Sequence, residues 1–215
     1  MDFFYRIVIR ATIHLVCLLL LVHIVVKVIR QHNLFLGIDP SLTGSGLVIL
    51  NDTYSIQVKS KFSTPAMGVE RLFHLQNKLR DFLDNYKEIQ HVCIEGPALR
   101  ETGRIFDLGQ WAGILYLELY KRGLACTIVA PMQLKKYVSK IGKNQGKQVV
   151  ILDVFKNFGE EIRDNDLADA YVLARIAHDY FELRNDRKLK NIHKYQLEVL
   201  NKLLNAQEDK NKALL

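Results

Sequence analysis

Residues 34–59 contain three short apolar runs separated by turn residues, a pattern typical of an antiparallel β-meander. The first run ends at Asp39, and the pair Asn51-Asp52 separates the second run from the third. Asn and Asp are common in tight turns because their side chains hydrogen-bond to the nearby backbone. The third run alternates apolar and polar residues, which indicates a strand with one exposed face. The folded part of the chain is therefore predicted to begin with three strands that pair consecutively.

Helical and strand patterns alternate after the meander. A helix is predicted at 68–86, a strand at 91–94, a helix at 105–122 and a strand at 125–129. Three helices follow, at 133–139, 145–158 and 166–181. The first helix is predicted to place seven apolar residues on one face: Val69, Leu72, Phe73, Leu79, Phe82, Leu83 and Tyr86. This order predicts an α/β fold with three layers, in which a mixed sheet opens with the antiparallel meander and has helices on both faces.

Residues 1–33 differ from the rest of the chain. From Ala11 to Val26 there is no Lys, Arg, Asp or Glu, in a stretch rich in Leu, Val and Ile. A bilayer crossing needs about 20 such residues, a length that is reached only if Arg10 and Lys27 extend their charged groups to the two interfaces. Three interpretations stay open. The segment is a single-pass membrane anchor with the main domain in the cytoplasm, or a secretory signal, or else it reflects a start assigned too early or a dispensable leader.

The main domain is assigned to residues 34–182, and residues 183–215 form a polar C-terminal segment. The segment carries apolar residues at near-helical intervals: Ile192, Tyr195, Leu197, Val199, Leu200, Leu203 and Leu204. We expect one amphipathic helix and a frayed tail. The apolar side of this helix is predicted to pack on the flank of the domain or on a second copy of the chain.

Composition restricts the function classes further. The sequence has 30 Lys and Arg against 23 Asp and Glu, a net charge of +7 that leans towards a polyanionic partner. A hydrophobic content of 49% excludes a chain that is mainly disordered. The three cysteines, Cys17, Cys93 and Cys126, are odd in number, widely spaced and set in apolar runs. They exclude a disulfide scaffold and a zinc finger, and they indicate reduced core residues of an intracellular protein.

Four acidic residues lie where predicted strands end and where the last core helix begins. Asp39 follows the first strand, Glu95 follows the strand at 91–94, and Asp166 and Asp169 are three apart on the last core helix, so they point the same way. Open α/β sheets bind their ligands at the carboxyl ends of the strands. Converging carboxylates repel one another and are costly to bury without cations. The pattern therefore predicts a site for Mg²⁺ or Mn²⁺, and two such ions about 4 Å apart can support phosphodiester hydrolysis.

Each of these acids also has a structural explanation when it is considered alone. An Asp before a Pro, such as Asp39, is commonly a turn or cap residue, and Glu95 fits a surface charge at a strand end. Asp166 and Asp169 satisfy the capping and dipole preferences of a helix start. The metal-site interpretation depends on the combination, since three separate elements each place an acid beside small residues at an apolar end.

Four segments of the chain together resemble the RuvC family of Holliday-junction resolvases, which have an RNase H-like fold. Residues 37–46, from Gly37-Ile38-Asp39-Pro40 to Ser45-Gly46, resemble the opening motif of that family. The strand end at Glu95 is similar to its second acidic position. Residues 107–113 resemble its helical Leu-Gly-Gln…Gly segment, and residues 166–170, Asp-Leu-Ala-Asp-Ala, resemble its closing helix. The order and spacing of the four segments fit over residues 34–178, which identifies residues 34–182 as an RNase H-like nuclease domain.

The resemblance implies a crossover junction endodeoxyribonuclease, a Mg²⁺-dependent enzyme that hydrolyses phosphodiester bonds in branched DNA such as Holliday junctions. It implies that Asp39, Glu95, Asp166 and Asp169 are the catalytic residues and the ligands of two Mg²⁺ ions, with Asp39 shared between them and Mn²⁺ as a substitute metal. It also implies a two-fold symmetric homodimer that acts on DNA in the cytoplasm.

Lysines are concentrated after the strand at 125–129. Lys135 and Lys147 match the two lysine positions of the family, and the resemblance implies that they contact the DNA backbone. By charge alone, Lys136, Lys140 and Lys143 are equal candidates. A cluster of this kind neutralises phosphates and makes DNA binding sensitive to salt. The alternative is a solvated loop.

The sequence departs from the family pattern at two positions. Ala98 stands where the well-known bacterial members have an aromatic ring three residues after the second acid, and Leu47 replaces their usual Tyr or Trp. The ring is associated with opening the junction centre, so we expect Phe106 or Trp111 to substitute for it, or the junction selectivity to be looser. These differences indicate a divergent member of a phage, viral or mobile-element type.

Two other functions stay open at this point. An actin-like or sugar-kinase-type phosphotransferase also opens with a Gly-Ile-Asp hairpin that grips phosphate, but it needs a second such hairpin and a Gly-rich adenosine loop. Neither is found in the 215 residues. The other alternative is a catalytically inactive RNase H-like DNA-binding module, against which the presence of all four acids argues.

Overall fold

The computed structural model describes residues 33–96, 105–140, 148–189 and 191–213. The apolar leader predicted for residues 1–33 lies outside this part of the chain except for its last residue. Within the described ranges, no helix combines the length and the apolar character needed to cross a lipid bilayer.

Five strands of the described residues form one sheet. They are β1 (Leu34–Asp39), β2 (Ser45–Asn51), β3 (Ile56–Phe62), β4 (Ile89–Glu95) and β5 (Cys126–Val129). Their order across the sheet is β3-β2-β1-β4-β5, so β1 is the central strand. Strand β2 pairs antiparallel with both β1 and β3, whereas β4 runs parallel to β1 and to β5. The predicted antiparallel meander is confirmed, and it opens a mixed sheet.

Helices cover both faces of this sheet. They are α1 (Gly68–Asn85), α2 (Ile105–Lys121), α3 (Pro131–Val138), α4 (Gln148–Phe158), α5 (Asn165–Arg184) and α6 (Lys194–Ala213). Helices α1 and α2 share a hydrophobic core with one face of the sheet, and α3 to α6 share a second core with the other face. Of these, α5 lies directly on β1, β2 and β4. The predicted three-layer α/β architecture is confirmed.

Alternate residues of β1 face the two helix layers. Leu36 and Ile38 are buried in the core formed with α1 and α2, whereas Phe35 is buried in the core formed with α5. Residues two apart in a strand point to the same face of the sheet, so Gly37 and Asp39 face the same side as Phe35. Asp39 therefore projects from the end of the central strand on the side of the sheet that α5 covers.

The N-terminal part of α1 differs from the prediction. Val69 and Phe73, which the spacing predicts on the buried face, are 79% and 58% exposed. The buried residues of this helix are Leu75, Leu79, Phe82 and Leu83. Leu72 also packs, half-buried, against the core that α1 and α2 share with the sheet, so the helix contacts the core from Leu72 onward, whereas Val69 and Phe73 face away from it.

The C-terminal helix α6 packs on the flank of the domain. Val199, Leu200 and Leu203 are buried in the core that α3 and α5 also form. Glu198, on the polar side of α6, forms an ion pair with Lys136 at 2.6 Å. The helix is predicted to pack on the flank of the domain or on a second copy of the chain, and in the described residues it packs on the flank.

Cys93 and Cys126 are free thiols, as predicted for reduced core cysteines. Cys93 is fully buried in β4, where burial raises the pKa of its thiol well above the usual value. Cys126 is half-buried. Cys17 lies outside the described residues.

Candidate active site

Two glycines let α5 rest directly against the strands at the end of β1. Gly46 on β2 lies opposite Asp39 in the sheet register, and Gly37 lies two residues before Asp39 on β1. A Cβ atom on Gly37 would be 2.0 Å from the carbonyl oxygen of Ala170, and one on Gly46 would be 2.2 Å from the carbonyl oxygen of Asp166. Any larger residue would push the helix away. The two glycines therefore bring the first turns of α5 to the end of the central strand.

The loop between β1 and β2 is held by Ser45. Its hydroxyl donates a hydrogen bond to the carbonyl oxygen of Ser41 (2.7 Å) and accepts one from the backbone N–H of the same residue (3.1 Å). It also accepts a hydrogen bond from the indole Nε1–H of Trp111 at 3.0 Å. The Ser-Gly pair of the opening motif thus closes the loop that follows Asp39 and ties it to α2.

Of the two rings predicted to replace the missing aromatic residue, only one is accessible. Trp111 is fully buried beneath the sheet, so its prediction as a substitute ring is wrong: the indole packs in the core and bonds to Ser45. Phe106, at the start of α2, is 76% exposed. Ala98 lies outside the described residues.

Asp39 and Glu95 meet at the ends of neighbouring parallel strands. Ile38 of β1 lies beside Ile94 of β4, and the side chains of the two acids that follow lie close enough to affect each other's pKa. Burial raises the pKa of both groups, and the charge of Glu95 raises the pKa of Asp39 further. Burial and the neighbouring negative charge thus favour the protonated form of Asp39 when no cation is present.

The start of α5 brings the two remaining predicted acids to the same place. Asp166 and Asp169 lie in the first two turns of this helix. In addition to burial, the charge of Asp166 raises the pKa of Asp39, and the charge of Asp169 raises the pKa of Glu95. All four acids singled out from the sequence therefore converge where β1 and β4 end. We refer to Asp39, Glu95, Asp166 and Asp169 as the carboxylate cluster.

Lys61, which no pattern in the sequence marks as a site residue, lies at the edge of the carboxylate cluster. The ammonium of Lys61, on β3, is 2.6 Å from Oδ2 of Asp166 and 2.7 Å from Oδ2 of Asp164. Asp39, Gly46 and Lys61 lie side by side in register on β1, β2 and β3. One lysine in an alternating strand looks like any other, because only the sheet register and the packing of α5 bring this one to Asp166.

The donor chemistry of the carboxylate cluster fits a hard divalent cation. All four side chains offer carboxylate oxygens, the ligands that Mg²⁺ and Mn²⁺ prefer. Without a cation, the ammonium of Lys61 offsets part of this negative charge, and burial raises the pKa of Asp39 and Glu95. In this arrangement, no three Asp, Glu, His or Cys side chains of the described residues are spaced as a ready set of metal ligands. A divalent cation would offset the same buried negative charge.

The structure separates the lysines predicted to bind DNA. Among those that the structure describes, Lys135, on α3, lies near enough for its positive charge to oppose the burial that raises the pKa of Glu95. Lys136, the next residue, is paired with Glu198, and Lys140 is exposed just after α3. Lys143 and Lys147 lie outside the described residues.

A buried polar network anchors the C-terminal half of α5, away from the carboxylate cluster at the start of the helix. The carboxylate of Asp179 accepts hydrogen bonds from the hydroxyl of Tyr54 at 2.5 Å and from the hydroxyl of Tyr137, and it lies 2.8 Å from Nδ1 of His178. These contacts join α5 to the β2–β3 turn and to α3. Burial, together with the charge of Asp179, raises the pKa of both tyrosines well above the usual value. The network was missed in the sequence because its members are far apart along the chain.

Comparisons with known proteins point to one family. The model of the family described as "Crossover junction endodeoxyribonuclease RuvC" matches residues 35–178. Among curated relatives, the crossover junction endodeoxyribonuclease RuvC of Ruegeria pomeroyi is 28% identical over 155 residues, which cover 68% of this chain and 90% of the relative. The protein of the same name from Caldanaerobacter subterraneus is 29% identical over 151 residues, which cover 66% of this chain and 90% of the relative.

A solved structure has a similar fold. The structure of T. thermophilus RuvC in complex with a Holliday junction substrate matches with a TM-score of 0.59 and 22% identity. The match covers 72% of this chain and 96% of that chain. At this level of identity the likeness establishes the fold, and it agrees with the RNase H-like architecture predicted from the motifs.

Proposed function

Since this chain belongs to the RuvC family of crossover junction endodeoxyribonucleases, we propose that it cleaves branched DNA, such as a Holliday junction, by hydrolysing phosphodiester bonds at the carboxylate cluster. The observation that carries this proposal is the convergence of Asp39, Glu95, Asp166 and Asp169 from three elements at one edge of the sheet. Buried acids with a raised pKa and specific charged neighbours are typical of catalytic centres.

The enzyme is metal-dependent, as a nuclease of this family. We propose Mg²⁺ as the metal, with two ions per active site, Asp39 as the shared ligand and Mn²⁺ as a substitute. When bound, such a pair of ions activates the attacking water and stabilises the leaving oxygen of a phosphodiester. The chain's own contribution is to hold the four carboxylates in place, with Gly37 and Gly46 admitting the start of α5 to the end of β1.

We propose that Lys135 contacts the DNA backbone beside the bond that is cut. Its charge already acts on Glu95, so a phosphate placed at the carboxylate cluster would lie within reach of the same charge. Lys147 and Lys143 are proposed as further backbone contacts, the first from the family resemblance and the second from its charge. Lys136 can join them only when it leaves Glu198, its ion-pair partner.

Phe106 is proposed as the ring that acts at the junction centre. It is 76% exposed at the start of α2, whereas Trp111 is buried. Apolar side chains that insert between bases unstack them and bend the nucleic acid, and an accessible ring is the first requirement for that.

A homodimer is proposed because α2 has an exposed apolar face opposite its buried one. Leu117 and Tyr120 are 47% and 83% exposed. They lie along one side of the helix with Gly109 and Gly113, where a Cβ atom would meet no other atom within 4 Å. Small residues beside large apolar ones allow two helices to approach closely, and a two-fold axis would place two active sites on the two arms of a symmetric junction.

The proposed place of action follows from the substrate. An enzyme that cleaves branched DNA works where that DNA is, so we propose that residues 34–182 act on DNA in the cytoplasm. The alternative of a phosphotransferase loses its support through the family membership. The alternative of an inactive DNA-binding module stays distinguishable by experiment.

The test uses the purified full chain with synthetic four-way, three-way and linear duplex DNA, each with and without Mg²⁺. We expect cutting of the branched substrates when Mg²⁺ is present. Asp39→Asn is expected to bind the four-way junction like the wild type and to cut it at least about 10³-fold more slowly, because a metal ligand and a proton site are both lost. A matched control is Asp81→Asn, the same change at an exposed position of α1 on the other side of the sheet.

Equal cleavage by wild type and Asp39→Asn would reject the carboxylate cluster as the active site. Junction binding without any cutting in Mg²⁺ or Mn²⁺ would instead support the inactive DNA-binding module.

A further inference from the structure

Lys61 bridges two carboxylates of the α5 start, only one of which belongs to the carboxylate cluster. Its ammonium lies 2.6 Å from Asp166 and 2.7 Å from Asp164. The side chain is 38% exposed, so the ammonium sits at the rim of the cluster, where solvent and ions reach it. Its charge also opposes the burial and the acidic neighbours that raise the pKa of Asp39.

The surroundings of Lys61 are shaped to let it reach Asp166. A Cβ atom on Gly44 would be 2.4 Å from Cε of Lys61 and 3.3 Å from Oδ2 of Asp166. The loop that carries Gly44 is fixed by the hydrogen bonds between Ser45 and Ser41. A side chain at position 44 would therefore lie in the path of the lysine, and the glycine keeps that path clear.

Asp164 is built to hold Lys61 without help from Asp166. Oδ1 of Asp164 caps α5 by accepting the backbone N–H of Leu167 at 3.1 Å, which leaves Oδ2 for the ammonium of Lys61. The capping bond fixes the carboxylate whether or not Asp166 is engaged. Lys61 consequently has one partner outside the carboxylate cluster, Asp164, and one partner inside it, Asp166, which a metal ion would bind.

We propose that Lys61 is a built-in counter-cation of the carboxylate cluster, which pairs with Asp166 in the metal-free enzyme and withdraws to Asp164 when a metal ion takes Asp166. The proposal rests on the proposed function, because it treats Asp166 as a metal ligand. Lys61 is a positioning residue in this scheme. It holds the Asp166 carboxylate in place before the metal arrives, and it makes the metal compete for that carboxylate.

Two opposite effects follow from this competition. Without metal, the ammonium reduces the repulsion among converging carboxylates and so stabilises the folded protein. With metal, the ammonium must give up one contact, so part of the metal's binding free energy is used to displace it. A residue that merely braced the ligands would favour folding and metal binding together.

The experiment measures Mg²⁺ and Mn²⁺ binding to the DNA-free full chain by isothermal titration calorimetry, after removal of metal with EDTA. Lys61→Met keeps the aliphatic stem and removes the charge. We expect this variant to bind Mg²⁺ about two- to fivefold more tightly than the wild type, the range that partly exposed ion pairs correspond to. We also expect its metal-free melting temperature to fall by roughly 1–3 °C and its stabilisation by added Mg²⁺ to be larger.

Lys59→Met is the matched control. Lys59 is two residues earlier on β3, faces the same side of the sheet and forms no ion pair with the described residues. Its substitution should change neither the metal affinity nor the melting temperature. Lys61→Arg, which keeps the charge, should return the metal affinity to nearly the wild-type value.

A metal affinity that is unchanged or weaker in Lys61→Met overturns the counter-cation proposal. If the wild type binds metal and cuts branched DNA in that case, the proposed function stands and only the role of Lys61 falls. If the wild type binds neither Mg²⁺ nor Mn²⁺, the metal-dependent function and the counter-cation role are both overturned.

Discussion

Gly46 lies directly beneath the backbone of Asp166, so close that a Cβ atom on the glycine would be 2.2 Å from the aspartate's carbonyl oxygen. The glycine is also the register partner of Asp39. One position on β2 is therefore in contact with the backbone of an acid on α5 and in register with an acid on the central strand. The Ser-Gly pair of the opening motif thus has two roles. Ser45 fixes the loop between β1 and β2 through its hydrogen bonds, and Gly46 leaves room for α5.

Gly46→Ala is expected to push α5 away from the sheet, because the added methyl group has no room under the backbone of Asp166. Overpacking of this kind costs about 1–3 kcal/mol of unfolding free energy. A displacement of catalytic groups by about 1 Å lowers kcat/KM by roughly a hundredfold. Chemical denaturation and single-turnover cleavage of a four-way junction measure the two effects.

Ile49→Val serves as the control for Gly46→Ala. Ile49 is on the same strand, fully buried, and faces the opposite core, so its truncation costs about 0.5–1.5 kcal/mol without touching α5. The folded control should cleave at the wild-type rate. Normal cleavage by Gly46→Ala would show that the close approach of α5 is not needed for the active site.

The raised pKa of Asp39 and of Glu95 makes the stability of the metal-free protein depend on pH. Burial raises the pKa of both groups in the folded state, and Asp39 is raised further by the charge of Glu95. The folded chain therefore keeps a proton that the unfolded chain has already released. It follows from linkage that the unfolding free energy falls as the pH rises from the ordinary carboxyl range through the raised pKa values.

Urea denaturation in EDTA between pH 5 and pH 9, a range chosen to span roughly these pKa values, tests this dependence. We expect the wild type to lose more than about 1 kcal/mol over the range. Asp39→Asn should lose much less, since the amide cannot ionise. Added Mg²⁺ should restore stability at the high end, where the carboxylates are free of protons. Stability that is flat or rising with pH in the wild type would contradict the raised pKa values of these two acids.

The four acids of the carboxylate cluster could be predicted from the sequence because each one is tied to a local pattern. Asp39 and Glu95 directly follow apolar strands, and parallel neighbours end at the same edge of a sheet. Asp166 and Asp169 share a helix face because helical geometry puts residues three apart side by side. The fold class was sufficient to bring these local patterns together.

The contacts of Lys61 and Trp111 could not be predicted from local sequence patterns. Lys59 and Lys61 are equivalent in the sequence, two lysines of an alternating strand, and only the packing of α5 gives one of them a partner. Trp111 is one apolar ring among several on α2, and its hydrogen bond to Ser45 depends on which face of the helix meets the sheet. Both cases are decided by tertiary contacts between residues far apart in the chain.

Lys135→Ala is expected to weaken junction binding and to make it less sensitive to salt. One phosphate contact fewer lowers the slope of log K against log salt by about one, which binding titrations at several NaCl concentrations measure. Lys87→Ala is the control, because Lys87 is exposed just before β4 begins, at the opposite end of that strand from Glu95. An equal slope for Lys135→Ala and the wild type would remove Lys135 from the DNA contacts.

Leu117→Glu is expected to convert the proposed homodimer into a monomer, because it places a charge in the middle of the exposed apolar face of α2. Leu152→Glu, on α4, is a close match as a control, since the two leucines are 47% and 48% exposed. Sedimentation velocity should show a dimer for the wild type and for Leu152→Glu, and a monomer for Leu117→Glu. The monomer keeps a complete carboxylate cluster, so it should still nick one strand of a four-way junction while losing paired cuts. A dimer that survives Leu117→Glu would show that the chain associates through another surface.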